Sequence, residues 1–292
     1  MTDIEELTVD TAAEPRPEGR TRFQSVGYFL ELSLDWIVLR ASENIHRLLG
    51  ESHVTLIDEP LGRFVHSQAL HDLRNLFSRL SGTTGIGRAY AVRLTNDPDL
   101  VDIAFQLSDG CVLLEAVPSA SAYGEAFGTV GGLVAGLSNS HGQALLEGGA
   151  RRMRALSGYD RVTLVCGDHR AESSRGVLAA AADMSADLPA IVADTQATPV
   201  PIFSRNPDET SAHEALLCAP APEALDSLAA SGVRSAMRVP FNVDGVQGEF
   251  RCESRTPRGP SLELHAAAEL FAQLFGMRLE IDQLRSPAKA GA

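Results

Sequence analysis

Residues 221–254 read APEALDSLAASGVRSAMRVPFNVDGVQGEFRCES. Pro222 suits the first position of a helix, where its missing N–H would have found no partner anyway, and Gly232 stops that helix. RSAMRVPFNV and VQGEFRCES then read as two strands closed by Asp244-Gly245, the kind of dipeptide that tolerates the left-handed backbone of a tight hairpin. The layout is that of a ligand-gripping segment, a short helix feeding an antiparallel hairpin. Yet from Glu223 to Ala230 there is no His, Cys, Arg, Lys or Tyr with which to grip.

Working outward, residues 261–285 form one long helix. Leu270, Leu274, Met277, Ile281 and Leu284 follow 4-3-4-3 spacing, a heptad seam two cycles long, while Leu264, Ala267 and Phe271 point toward the domain's own sheet. A seam between two copies and one broad buried stripe both fit that pattern. Upstream, YDRVTLVCG (159–167) is a strand with Val162, Leu164 and Cys166 on one side. AIVADT is a short apolar strand, and TPVPIFSRNPDETS is a polar, Pro-bearing excursion. Leu145, Leu146, Ala150, Met153 and Leu156 make a helix face ended by Gly158. Seven glycines lie between 128 and 149; each costs a helix about 1 kcal/mol relative to Ala. Their expected use is to let another helix approach closely, because no strand or Lys completes a phosphate loop.

Residues 22–120 form an earlier unit. RFQSVGYFLELS is a strand, and LDWIVLRASENIHRLLG is a strand entering a helix with Ser42 as its expected N-cap. PLGRFVHSQALHDLRNLFSRLSG carries Leu70, Leu73, Leu76, Phe77 and Leu80 at helical spacing, stopped by Gly82. RAYAVRLT, LVDIAFQLSDG and CVLLEAVPS are three strands, the last two joined at Asp109-Gly110. Two strands, helices and three strands make an α+β domain with an antiparallel sheet. SASAYGE (119–125) breaks the pattern and marks the boundary.

At 292 residues the chain can bury two cores. No apolar run reaches the ~18 residues of a membrane span. Net charge is −13, and the densest basic cluster, Arg151-Arg152-Met153-Arg154, reads as a solvated helix face; nucleic acid and membranes are not expected partners. Cys111, Cys166, Cys218 and Cys252 are scattered, with no CxxC and no His at ligand spacing. Free thiols in a reducing cytoplasm are the expectation, and no metal. GLSNS (136–140) lacks the last Gly of a hydrolase elbow, Asp194 and Asp208 have no motif His nearby, and no HExxH or Walker motif occurs. His66 and His71 fall on different helix faces, and His265, in an Ala-rich helix, reads as a surface or cap residue. No catalytic residue is expected, and the chain does not read as an enzyme.

Several segments, in this order and spacing, resemble the PAS–GAF photosensory core of phytochromes, bacteriophytochromes in particular. In the first unit these are VGYFLELS, LRASENIHRLLG and LSDGCVLLEAVPS. In the second they are LSGYDRVTLV, IVADTQATPVP, residues 224–259 and the terminal helix. The resemblance implies an α+β fold of tandem PAS and GAF domains, each an antiparallel sheet flanked by helices. The PAS-like domain would span 22–120 and the GAF domain 126–285, between a disordered arm (1–21) and a flexible tail (286–292). It also implies that residues 198–217 form the lasso through which the N-terminal segment passes, making a knot, and that a long C-terminal helix follows.

The family holds a linear tetrapyrrole, and this sequence departs from it position by position. No Cys stands before Cys111, although the bacterial family attaches its bilin to a Cys upstream of the first strand. The family's Pro-His-Gly appears as Ser25-Val26-Gly27. Its Asp-Ile-Pro should fall near Ser174-Arg175-Gly176-Val177. An Arg is replaced by Ala190, the pyrrole-side His by Ala224, the plant-type attachment Cys by Glu223, and a His pair by Glu253-Ser254, after Cys252. Glu223 and Glu253 would bring negative charge toward the bilin carboxylates, with Arg234 or Arg251 as available compensation. The expectation is therefore a phytochrome-like sensory or signalling module that has lost bilin binding and has no cofactor. It would act in the cytoplasm as a homodimer, through Leu270, Leu274, Met277, Ile281 and Leu284, and would bind a partner signalling protein. The alternatives are a red/far-red photoreceptor holding biliverdin non-covalently, and a GAF or PAS pocket repurposed for another small ligand.

Overall fold

The computed structural model describes residues 22–80, 85–119, 125–176, 188–205, 214–243 and 245–285. The first half runs β1 (Arg22–Phe23), β2 (Tyr28–Leu32), β3 (Val38–Ser42), α1 (His46–Leu49), α2 (His53–Leu56), α3 (Ser67–Leu80), β4 (Gly87–Val92), β5 (Val101–Ser108) and β6 (Cys111–Pro118). The β5–β6 hairpin turns at Asp109 and Gly110, with φ of 49° and 77°, the pair of left-handed residues that matches strand twist. Ser42 does not cap the helical turn after it. Its Oγ accepts the N–H of Phe29 at 3.0 Å, so the cap expected there is instead a tie between β2 and β3.

The second half runs α4 (Glu125–Ala135), α5 (Gly142–Ser157), β7 (Arg161–Cys166), β8 (His169–Ser174), β9 (Ile191–Val192), β10 (Val200–Ser204), α6 (Pro222–Ala230), β11 (Ser235–Val243), β12 (Val246–Ser254) and α7 (Leu262–Arg285). Two antiparallel sheets result, ordered β1-β10-β3-β2-β6-β5-β4 and β8-β7-β12-β11-β9. Strand β10 comes from the second half yet joins the first sheet. Ile202 pairs with Ser42, and Val200 pairs with Phe23. Of the stretch expected to form the lasso, residues 206–213 lie outside the described residues. So do the arm (1–21), the tail (286–292), Gly82, Val177 and Asp208.

Leu30, Leu32, Val38, Ile103, Phe105 and Leu114 fill one face of the first sheet, over Leu73 of α3. Phe29, Ala104, Leu113 and Val117 on its other face belong to the core of the second half. A sheet covered on both faces needs apolar residues at every position rather than every second one. That is why β6 is buried without a break from Val112 to Val117. The second sheet packs Val162, Leu164, Val239, Phe241 and Phe250 under α5 and α7, against Phe271 and Phe275.

The glycines divide into two groups. A Cβ on Gly149 would lie 2.4 Å from the Phe275 ring, so α5 and α7 approach closely there, as the composition suggests. Gly128, Gly131 and Gly132 of α4 have nothing within 4 Å of such a Cβ, so within the described residues no neighbouring helix uses them.

His265 is not at the surface. It is 1% exposed, and its Nδ1 lies 3.1 Å from Nη2 of Arg88, which also reaches Glu269 Oε2 at 2.6 Å. Burial, against the pull of Glu269 and with the push of Arg88, brings the imidazole down to about 4. Ala-rich helices can bury polar residues where a neighbouring sheet supplies the partner, and here β4 of the first sheet supplies it.

Candidate functional site

Side chains on a strand alternate between its faces. Val162, Leu164, Met237, Val239, Phe250 and Cys252 are taken by the core under the helices. The intervening residues, Arg161 and Thr163 on β7, Arg238 on β11, and Glu249, Arg251 and Glu253 on β12, therefore share the opposite face. Register places Arg161 opposite Glu253, and Thr163 and Arg238 on either side of Arg251. Helix α6 lies over the β9 edge. Its Leu228, with Ala224 and Leu225, meets Leu188, Val192, Val233 and Ala236.

This face is charged and largely dry, and its three arginines are held by its two glutamates. Arg161 Nε donates to Oε2 of Glu253, with Nη2 also in ion-pair range, and each side chain is 3% exposed. Glu249 is shared: Arg238 Nε donates to one carboxylate oxygen at 2.7 Å and Arg251 Nε to the other at 2.6 Å. Arg238 also donates to the Leu188 carbonyl at 3.0 Å. Arg234, at the start of β11, binds Asp194 with two bonds of 2.9 Å, the planar fork-to-carboxylate fit that Arg provides. Thr163 is buried, and its hydroxyl meets no partner among the described residues.

The positions singled out in the sequence do not converge. Arg175 is exposed, and its backbone N–H donates to the Asp160 carbonyl at 2.7 Å. Ala190 gives its carbonyl to the Arg238 N–H at 2.8 Å. Ala224 packs its methyl group, whereas Glu223 points to solvent. Ser254 donates to Asp160 Oδ2 at 3.2 Å. Glu253 alone among them lies charged on the buried face, and Arg161 neutralises it. Arg234 and Arg251, the residues that could compensate, are committed to Asp194 and Glu249.

Sequence reasoning missed the shared Glu249. The signal was present: Gln247, Glu249, Arg251 and Glu253 occupy every second position of VQGEFRCES, which sets a polar ribbon down one face of a strand whose other face is core.

Three thiols are poor nucleophiles. Burial raises Cys166. Burial, then the charge of Glu115, pushes Cys218 up to about 11. Burial, with Glu253 and Glu249 adding and Ser157 and Arg258 opposing, pushes Cys252 up to about 12. Reaction needs the thiolate, and these environments suppress it. Among the described residues no group of three His, Cys, Asp or Glu could hold a metal ion, and no helix is long and apolar enough to cross a membrane. A separate cleft of about 580 Å3 opens at one end of the first sheet, where Arg47, Asp97 and Asp99 mix with Leu48, Leu94 and Leu100.

No family model matches the chain, and no curated protein does. Solved structures match over nearly its whole length. The chromophore-binding domain of the unusual bacteriophytochrome RpBphP3 from R. palustris is 22% identical with a TM-score of 0.71, over 93% of this chain and 98% of that one. The Stigmatella aurantiaca phytochrome photosensory core module is 21% identical with a TM-score of 0.74, over 94% of this chain. The longer RpBphP3 structure is 21% identical with a TM-score of 0.76, over 92% of this chain. The chain spans 61% of each of the last two. The fold is that of phytochrome chromophore-binding domains, a mixed α/β architecture with antiparallel sheets.

Proposed function

We propose that the chain is a phytochrome-like sensory or signalling module, not an enzyme. It works without a bilin, as a dimerising scaffold for protein interaction in cytoplasmic signal transduction. The observation that carries this reading is where the arginines of the buried sheet face go. A linear tetrapyrrole brings two propionates that need cationic forks. Here Arg161 and Arg234 each pair with a carboxylate of their own, and Arg238 and Arg251 share Glu249. Freeing Arg161 for a ligand strands Glu253, and an uncompensated buried charge costs about 3–5 kcal/mol; both side chains are 3% exposed. Ala224 and Ala190 offer no side-chain donor, and the buried thiols offer no thiolate. Threading of the N-terminal strand through residues 198–217 belongs to the same reading, supported by Phe23 pairing with both Val200 and Cys218.

The dimerising surface is on α7. Leu270, Met277, Ile281 and Leu284 are 43%, 49%, 41% and 77% exposed, while Phe271, Phe275 and Leu279 of the same helix are core. Leu274 is partly buried beside that core. With Leu274 and Ile281 at the a positions and Leu270, Met277 and Leu284 at d, Glu280 falls at g and Arg285 at e. A parallel second copy would bring Glu280 against Arg285 of its partner. Within the described residues neither has an ion-pair partner.

Two measurements test the reading. Ile281→Asp with Leu284→Asp is expected to convert a dimer of twice 31.1 kDa into a monomer by light scattering, with unchanged circular dichroism. An unchanged mass removes the seam. Co-expression with a biliverdin source is expected to yield a protein with no far-red band. The neighbours named as chromophore-binding favour the opposite outcome, in which a bound, light-shifting band would make the chain a non-covalent photoreceptor.

A further inference from the structure

Glu115 is the one charged residue in the apolar run of β6. It is 2% exposed on the face of the first sheet that meets the second half. Its two carboxylate oxygens accept consecutive backbone N–H groups from the crossing segment, Leu216 at 2.7 Å and Leu217 at 2.9 Å. No cation touches it among the described residues. Arg88, on β4 beyond Ala104, is held by His265 and Glu269 of α7. Glu31, further along the same face of β2, is taken by Arg40 at 2.9 Å. The Cys218 thiol, on the crossing segment itself, stays protonated.

The segment that Glu115 holds is a junction. The Leu216 carbonyl accepts the N–H of Ile191 on β9 at 3.0 Å, and the Leu217 carbonyl accepts the N–H of Gln24 at 3.1 Å. Gln24 in turn donates to the Ile191 carbonyl at 2.6 Å and accepts the Ala193 N–H at 2.8 Å. One carboxylate therefore fastens the first sheet, the N-terminal strand and β9 together. Two residues beyond β9 stands Asp194, the partner of Arg234 at the edge of the charged face.

We propose that Glu115 makes this a proton-dependent joint: protonated, it keeps the crossing segment seated on the first sheet, and deprotonated, it favours release of residues 216–217 and loosening of β9. A protonated carboxyl retains acceptor capacity for the amides and has no charge to keep from water. The bare carboxylate has two N–H donors and no cation, and hydration in an opened joint relieves it.

Burial raises the Glu115 carboxyl to about 7, against the two amides and the charge of Arg88, from 4.5 when exposed. The closed joint thus holds its proton more tightly than the open one. Its stability is fully present below about pH 4.5 and declines as pH rises toward 7 and above. The inference stands whether or not the chain binds a pigment.

The test is carboxyl 13C NMR of the full chain with hydrogen exchange of the Leu216 and Leu217 amides. Glu115 is expected to titrate near 7, with both amide shifts following the same midpoint. After correction for intrinsic exchange, amide protection is expected to fall about tenfold between pH 6 and pH 8, the ratio those two values imply. Glu115→Gln should abolish the pH dependence. If that variant does not fold, the wild-type titration decides. Titration of Glu115 in the ordinary carboxylate range, or protection that stays level from pH 6 to pH 8, overturns the proposal.

Discussion

Glu253→Ala is expected to destabilise the chain by about 3–5 kcal/mol in urea or guanidinium titration, because it removes the carboxylate that the Arg161 guanidinium binds in a dry site. Both partners are 3% exposed, so water cannot take over the lost interaction. The informative comparison is the double variant Arg161→Met, Glu253→Leu. Replacing a whole buried pair by apolar residues of similar size is often neutral or stabilising, so this variant should recover most of the loss. If the double variant is as unstable as the single, the pair does more than satisfy itself, and the face needs its charges. If the single variant costs less than about 1 kcal/mol, the pair is hydrated in solution, and that face is open enough to receive a ligand. The same measurement therefore bears on the bilin-free reading.

Phe275→Ala carries the second large expected effect, about 3–5 kcal/mol. Its ring is wholly buried and packs edge-on against Phe250 at 5.3 Å and Phe241 at 5.9 Å. The ring also closes the α5–α7 contact over Gly149. Gly149→Ala should destabilise by about 1–3 kcal/mol through overpacking, even though Ala is the better helix former. In the Phe275→Ala background the added methyl enters vacated space, so the Gly149→Ala penalty should vanish or reverse. A double-mutant cycle reads that coupling directly. Strictly additive losses would mean that the two helices do not meet as described.

How much was legible follows from how local each signal is. The β5–β6 hairpin could be read because Asp109-Gly110 supplies left-handed backbone between two apolar runs. Helix α6 could be read from Pro222 and Gly232, and α3 from the spacing of Leu70, Leu73 and Phe77. Ser42 misled. A good N-cap residue was present, but β2 lay close enough for the Phe29 N–H to claim its hydroxyl. His265 misled for a similar reason, since nothing near it in sequence announces Arg88, 177 residues away. The glycines of α4 and α5 are indistinguishable by composition. Only the position of the Phe275 ring decides that Gly149 is a contact and Gly131 is not.

By itself the sequence determined what depends on neighbours along the chain: the helix or strand character of most segments, turn chemistry, and the apolar spacing of the last helix. Tertiary structure alone decided which charges meet. Asp194 and Arg234 are 40 residues apart, and Arg161 and Glu253 are 92 apart. Whether an arginine is a ligand donor or half of an internal pair depends on those distances. Tertiary structure also carried β10 into the first sheet and set Glu115 under the amides of residues 216–217. The physical reason is that hydrogen bonds and charges act over a few ångströms of space, whereas patterns in sequence report only the faces that a local backbone will present.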